Sequence, residues 1–198
     1  MRVSLVIPLF CLLFILPACL TVETVVTRIV FDESKGLYRI NIIYDNISSA
    51  ENLEKDVQAD LEYLINQAED ESYLLERTEQ GFYIKNRRLY IQNNKIMAEE
   101  VMITRSLSSL DNEFNLTRDS TYWIMALEEK DNDFDVIESN GETVNLNGKS
   151  YIRWPYDTDE IFWKSRIRQL PDYFDRNRSR MVGKLKAYLD KVKDKEQN

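Results

Sequence analysis

Between Leu37 and Tyr44 the chain reads Leu-Tyr-Arg-Ile-Asn-Ile-Ile-Tyr, with Tyr38, Ile40, Ile42 and Tyr44 on every second position. Successive side chains of a strand point to opposite faces, so this spacing puts all four on one side and Arg39 and Asn41 on the other. Only Ile43 interrupts the polar side. A helix would scatter these residues around its axis; a half-buried strand aligns them. The preceding Thr24–Phe31 is rich in β-branched residues, and the polar Asp32–Gly36 link is short enough to make the two segments a hairpin.

Beyond this hairpin the pattern changes. Ser48 followed by Glu51 carries a capping-box signature, and Leu53, Val57, Leu61, Leu64, Ile65 and Ala68 recur at helical spacing, which predicts a helix over Ala50–Ala68. Glu69-Asp70-Glu71 then reads as the solvated end of that helix. Phe82–Gln92 reads as a strand interrupted near Asn86-Arg87, and Asn93-Asn94 supplies hairpin-turn chemistry before Ile96–Ile103 returns. Short strands are expected at Tyr122–Leu127, Phe134–Ser139, Thr143–Leu146 and Tyr151–Trp154, with Asn140-Gly141 and Asn147-Gly148 as turns. Asp159–Gln169 is expected to form a short helix stopped by Pro171. From Asp172 onward, Phe174, Met181, Val182, Leu185, Tyr188, Leu189 and Val192 trace one helical face. The fold class implied is α+β: an antiparallel meander sheet packed against one helix in the N-terminal half and an amphipathic C-terminal helix.

The first residues carry different information. Arg2 precedes Val3–Leu16, an apolar run broken only by Ser4 and Pro8, and the run closes on small residues, as export signals do. Leu16-Pro17-Ala18-Cys19 resembles the lipobox of bacterial lipoproteins. The resemblance covers the leader alone. It implies a signal peptide over residues 1–18, cleavage before Cys19, acylation of Cys19, and one envelope domain over 19–198. Leu20 after the cysteine, where an aspartate would signal retention, implies an outer-membrane location facing the periplasm. A single N-terminal transmembrane anchor is the alternative, because Val3–Leu20 carries no charge. Cys11 lies within the apolar run, so no disulfide framework is available to the exported chain.

Composition removes several chemistries. The chain has no histidine, which excludes Ser-His-Asp and Cys-His catalysis, and it has neither Cys clusters for zinc nor a glycine-rich phosphate loop. No cofactor is expected. A formal net charge of −8, together with export, argues against nucleic acid as a partner. Lys and Arg nevertheless outnumber Asp and Glu from Lys164 onward, which suggests a basic tail that docks on the acidic body or faces an anionic surface.

Four weaker features remain. Asp131, Asp133, Asp135 and Glu142 have the spacing of a calcium loop, but Val136 stands where the sharp turn needs glycine, so an acidic turn is expected there. Trp154, Tyr156 and Trp163 flank Asp157, Asp159 and Glu160. They read either as core anchors beside a capping carboxylate, as an aromatic ligand-binding surface, or as the acid pair of a glycan hydrolase. Arg176, Arg178 and Arg180, continuing from Arg166 and Arg168, are candidates for binding an anionic group. Asn46, Asn115 and Asn177 head Asn-x-Ser/Thr triplets, which matter only where glycosylation occurs; the bacterial leader points away from that.

The functional expectation is a membrane-anchored, non-enzymatic binding or assembly component of the cell envelope. Its C-terminal helix would cover the sheet, lie at the membrane interface or bind an envelope protein. A carrier of lipid or another apolar ligand is the alternative, with Tyr38, Ile40, Ile42 and Tyr44 lining a cavity or filling a core. A carboxylate-dependent hydrolase comes third.

Overall fold

A computed structural model describes residues 19–127 and 133–196; the leader and Asp131 lie outside the described residues. The α+β class holds: among the described residues there are two antiparallel sheets and four helices. The first hairpin is longer than its alternating stretch implied. β1 (Leu20–Asp32) pairs with β2 (Leu37–Ser49) over its whole length, from Leu20 opposite Ser49 to Asp32 opposite Leu37. Asn46 in β2 adopts φ 65°, and the register against β4 (Lys95–Thr104) shifts there, between Asp45 and Ile47. A left-handed residue of this kind marks a bulge, which bends the strand and re-aims the side chains beyond it.

With β3 at Tyr83–Gln92, β7 at Phe134–Ser139 and β10 at Glu160–Ile167, the large sheet runs β3-β4-β2-β1-β10-β7. β3 (Tyr83–Gln92) and β4 (Lys95–Thr104) form the Asn93-Asn94 hairpin, with both turn residues at positive φ as a two-residue turn of matching twist requires. The irregularity read near Asn86-Arg87 is a register shift between Ile84 and Asn86. The smaller sheet runs β5-β6-β9-β8: β5 (Leu116–Arg118), β6 (Tyr122–Leu127), β8 (Glu142–Leu146) and β9 (Lys149–Pro155). Asn147-Gly148 closes its β8–β9 hairpin. Asn140-Gly141 has a different role. It carries the chain from β7 (Phe134–Ser139), in the large sheet, into β8 of the small one.

Four local expectations are corrected. Residues 159–169 do not form a helix; Glu160–Ile167 is strand β10, paired with β1 on one side and β7 on the other. Ile161, Trp163 and Ser165 are buried on alternate positions, and a strand between two others satisfies both edges of its backbone, which outweighs helical propensity. Ser48 and Glu51 do not form a capping box, because β2 runs on to Ser49 and helix α1 (Glu54–Glu69) starts later. Ser48 Oγ instead donates to the Phe174 carbonyl at 2.8 Å, tying β2 to the C-terminal helix. Leu53, assigned to the buried face, is the N-cap residue and is 54% exposed. The acidic run after α1 is not a stop into solvent either: Asp70 accepts from the Ser72 N–H at 2.9 Å and caps a further helix, α2 (Glu71–Glu79). A third helix, α3 (Leu107–Phe114), capped by Ser106, had no strong periodic signal.

α4 (Phe174–Glu196) lays Phe174, Met181, Val182 and Leu185 into the core and contacts β2, β4 and α1. Its apolar face is thus used within the fold. The aromatic centre of the core joins the two sheets: Trp154 of β9 lies 6.3 Å from Trp163 of β10, and Tyr38 of β2 meets Trp123 of β6 edge to face at 5.7 Å. Among the described residues no helix is long and apolar enough to cross a membrane.

Candidate functional site: an apolar cavity with a charged end

The packing of the layers leaves a space at one side. A cavity of about 340 Å³, partly open to solvent, lies between the large sheet and the helices that cross it. Its floor is the helix-facing side of β1, β2 and β4, including Val25, Ile42 and Ala98. The register places Val25 opposite Tyr44 and Tyr44 opposite Ala98, so one row across the sheet supplies a large part of that floor. α1 contributes Leu64 and Ala68 from above, and Phe114 at the end of α3 closes another side. Small side chains at Ala98 and Ala68 help to keep the space open. Protein interiors are close-packed, and an apolar void left by their own side chains costs stability in proportion to its size. The volume falls at the lower end of the range of about 300–1,000 Å³ typical of small-molecule pockets.

One end of the cavity is charged. Arg77 of α2 is 1% exposed and forms a two-pronged pair with Glu113 of α3, Nη2 donating to Oε1 at 2.8 Å and Nη1 to Oε2 at 3.1 Å. Nη1 also donates to Gln80 Oε1 at 2.7 Å, and the guanidinium lies 4.9 Å from the centre of the Phe82 ring. Beside it, the Tyr73 hydroxyl donates to Glu100 Oε2 at 3.1 Å. Glu100 sits on β4 opposite Arg87 of β3 and Ile42 of β2, on the same face as the cavity floor. Burial raises the carboxyl of Glu100 above its ordinary pKa, with Arg77, Tyr73 and Arg87 pulling in the other direction. Burial likewise raises Glu113, in spite of its bonds to Arg77. The Tyr73 hydroxyl is pushed up by burial and by Glu100.

Sequence reasoning assigned none of these charged residues to a site. A signal was present in Ile96, Ala98, Glu100 and Met102, which alternate along β4 and put one carboxylate into an otherwise apolar row. Of the hairpin residues flagged for a cavity or core, Ile42 and Tyr44 line the cavity, while Ile40 and Tyr38 pack in the core.

The other flagged residues are spread over the molecule. Trp154 is fully buried and Trp163 nearly so, with Trp154 Nε1 donating to Asn140 Oδ1 at 2.6 Å. Tyr156 is 48% exposed at the end of the small sheet, where Arg118 reaches its hydroxyl at 3.3 Å. The two tryptophans therefore anchor the sheets to each other and do not join Tyr156 in one binding surface. Arg176, Arg178 and Arg180 do not form one cluster either. Residues two apart on a helix point in nearly opposite directions, so Arg178 is turned away from Arg176 and Arg180, which share a face. Arg176 reaches the Asn52 carbonyl at 3.3 Å while Arg178 pairs with Asp175 at 2.9 Å. Arg180 is exposed, and Arg168 pairs with Asp135 at 2.8 Å. Asp135 and Glu142, which share the spacing of a calcium loop, lie in different sheets, with Glu142 paired to Arg153. No group of residues able to hold a metal ion occurs among the described residues.

Asn46 and Asn177 are buried; the Asn177 side-chain amide donates to the carbonyls of Ser49 and Glu51 at 3.0 and 2.7 Å. Cys19 is exposed at the mouth of β1. Its N–H donates to Asp60 at 3.1 Å, its carbonyl accepts from Ala50 at 2.7 Å, and its thiol is pushed up to about 11 by a hydrogen bond with Glu51 and by burial. A thiol raised in this way is a poor nucleophile at neutral pH. No family model, curated protein or solved structure matches the chain.

Proposed function

We propose that the protein is a non-enzymatic binding protein for a small apolar or amphiphilic ligand, tethered to the outer membrane, on its periplasmic side, by lipid on Cys19. The observation that carries this reading is the cavity of about 340 Å³, apolar for most of its wall and bounded by ionisable groups at one end. A wall of this composition gains little from water and much from hydrocarbon, which is the chemistry of a carrier. The anchoring part of the proposal rests on the lipobox-like leader. The position of Cys19 supports a carrier role: β1 starts at the next residue, and Leu20 and Val22 already line the cavity. A lipid on Cys19 would hold the domain against the bilayer with almost no spacer, close to a source or sink of apolar ligand.

The test is displacement of a fluorescent naphthylamine probe from the purified protein by alkyl-chain ligands, with native mass spectrometry to detect co-purified molecules. Ala98→Phe, which places an aromatic ring in the floor of the cavity, should abolish probe binding while leaving the circular dichroism spectrum intact. Undiminished binding by a folded Ala98→Phe protein would refute the cavity as the site. The anchor is tested separately, by intact mass and membrane fractionation of the wild type and of Cys19→Ser. The wild type should be membrane-bound and carry diacylglycerol; an unacylated wild type still bearing residues 1–18 would refute lipidation.

A further inference from the structure

The charges around the cavity are unequal, and the imbalance bears on the head of the ligand. Glu113 is neutralised by Arg77. Arg88 and Glu99, on the other side of the sheet from Glu100, are also paired. Among the described residues Glu76 has only Gln80 as a side-chain partner, at 3.2 Å. Arg87, the remaining cation at the cavity, donates one nitrogen to the Asp70 carbonyl at 3.0 Å and lies over the Tyr73 ring at 4.7 Å. Glu100 is left with an unequal share of partners. It is 3% exposed, Tyr73 bonds one of its oxygens, and Oε1 has no hydrogen-bond partner among the described residues. A buried carboxylate oxygen without a donor is costly, and any group that brings an N–H or O–H to it recovers that cost.

We propose that the cavity takes an amphiphile whose tail lies between the large sheet and α1, and whose head is a hydrogen-bond donor, an alcohol or an amine, bound by Glu100. The inference rests on the ligand-binding reading of the cavity. An anionic head is disfavoured for the same reason that a donor is favoured. A carboxylate or phosphate at this end would approach the buried Glu100, with the exposed Glu76 at the rim adding to the negative potential, and like charges repel strongly beside a desolvated carboxylate. Among the described residues the only cation not already in an ion pair there, Arg87, is partly spent on the Asp70 carbonyl and the Tyr73 ring. Alcohol and amine share the donor chemistry and differ in charge, which allows them to be separated by experiment.

The experiment compares decanol, decylamine and decanoate as displacers of the same fluorescent probe at neutral pH, with the wild type, Glu100→Gln and Glu100→Leu. In the wild type, decanol and decylamine should act at concentrations about tenfold below that of decanoate, the worth of one charge-assisted hydrogen bond. Glu100→Leu should close that gap, because the acceptor is gone. Glu100→Gln separates the two sources of the head: loss of the decylamine advantage with that of decanol kept identifies charge pairing, and retention of both identifies a neutral hydrogen bond. Decanoate binding as well as the other two, or a gap that survives in Glu100→Leu, would overturn the assignment of the head. If all three bind alike and Ala98→Phe blocks them, the cavity stands and the head assignment falls; if none binds the wild type, the cavity reading itself fails.

Discussion

Arg77→Met removes the cation from a buried pair while leaving most of the side-chain volume in place. In the structure the guanidinium is 1% exposed, holds both oxygens of Glu113, and packs against Phe82. Without it, Glu113 keeps its burial and loses its counter-charge. Breaking one side of a buried pair typically costs about 3–5 kcal/mol, whereas replacing both partners by apolar residues is often close to neutral. For a domain of this size the single change should lower Tm by about 6–20 °C. Arg77→Met/Glu113→Met should recover most of that loss, to within about 1–2 kcal/mol of wild type.

The pH dependence gives an independent check. Glu113 and Glu100 already have raised pKa values through burial, and both are pulled down by Arg77, so its loss raises both further. A carboxyl raised in the folded state contributes stability in full below its ordinary value, and that contribution is lost as pH rises through the raised value. The deficit of Arg77→Met should therefore be largest at neutral pH and shrink towards pH 4.5 and below, the ordinary glutamate value. Urea titration at several pH values measures this through the midpoint, provided the slope is unchanged. A cost below about 1 kcal/mol at neutral pH, or a double variant no more stable than the single one, would refute the reasoning.

Three further outcomes are expected. Trp163→Ala should destabilise by about 3–5 kcal/mol, whereas Tyr156→Ala at the exposed end of the small sheet should stay within about 0.5 kcal/mol; thermal melts of the two separate a core anchor from a surface ring. Gly141→Ala should cost about 1–3 kcal/mol by urea titration, since its Cβ would stand 2.6 Å from both Ile152 and Trp154, and an unchanged midpoint would mean that the crossing between the sheets is looser than described. Glu100→Gln should stabilise the ligand-free protein at neutral pH, because it removes the charge that burial opposes, and the gain should vanish as pH falls towards 4.5; melting temperature against pH follows it, and a gain that grows on acidification would contradict the sign.

The elements that the sequence made legible are those whose side chains report their own surroundings. Tyr38, Ile40 and Ile42 alternate because one face of β2 is buried, and Val57, Leu61 and Leu64 repeat at helical spacing because one face of α1 is. The turn at Asn93-Asn94 was readable because few residues other than glycine and asparagine accept positive φ. The exclusion of histidine-based catalysis and the lipobox-like leader also belong to the sequence alone, since each depends on residue identity and not on distance. Other features had no local signature. Glu160–Ile167 is a strand because β1 and β7 flank it, and α2 exists because Asp70 caps it and Arg77 has a buried partner far along the chain.

The cavity is the clearest case of a feature decided by tertiary structure. Its wall gathers residues from five strands of the large sheet and from three helices, and no stretch of chain contains enough of them to suggest a space between. The same holds for Trp154 and Trp163, close in sequence to Tyr156 but turned into the core by the pleat of two different sheets. Alternation and periodicity record which side of an element is dry. Whether the dry sides meet in full contact or leave room between them depends on how far apart the layers settle, and that distance is set by all of the packed side chains together.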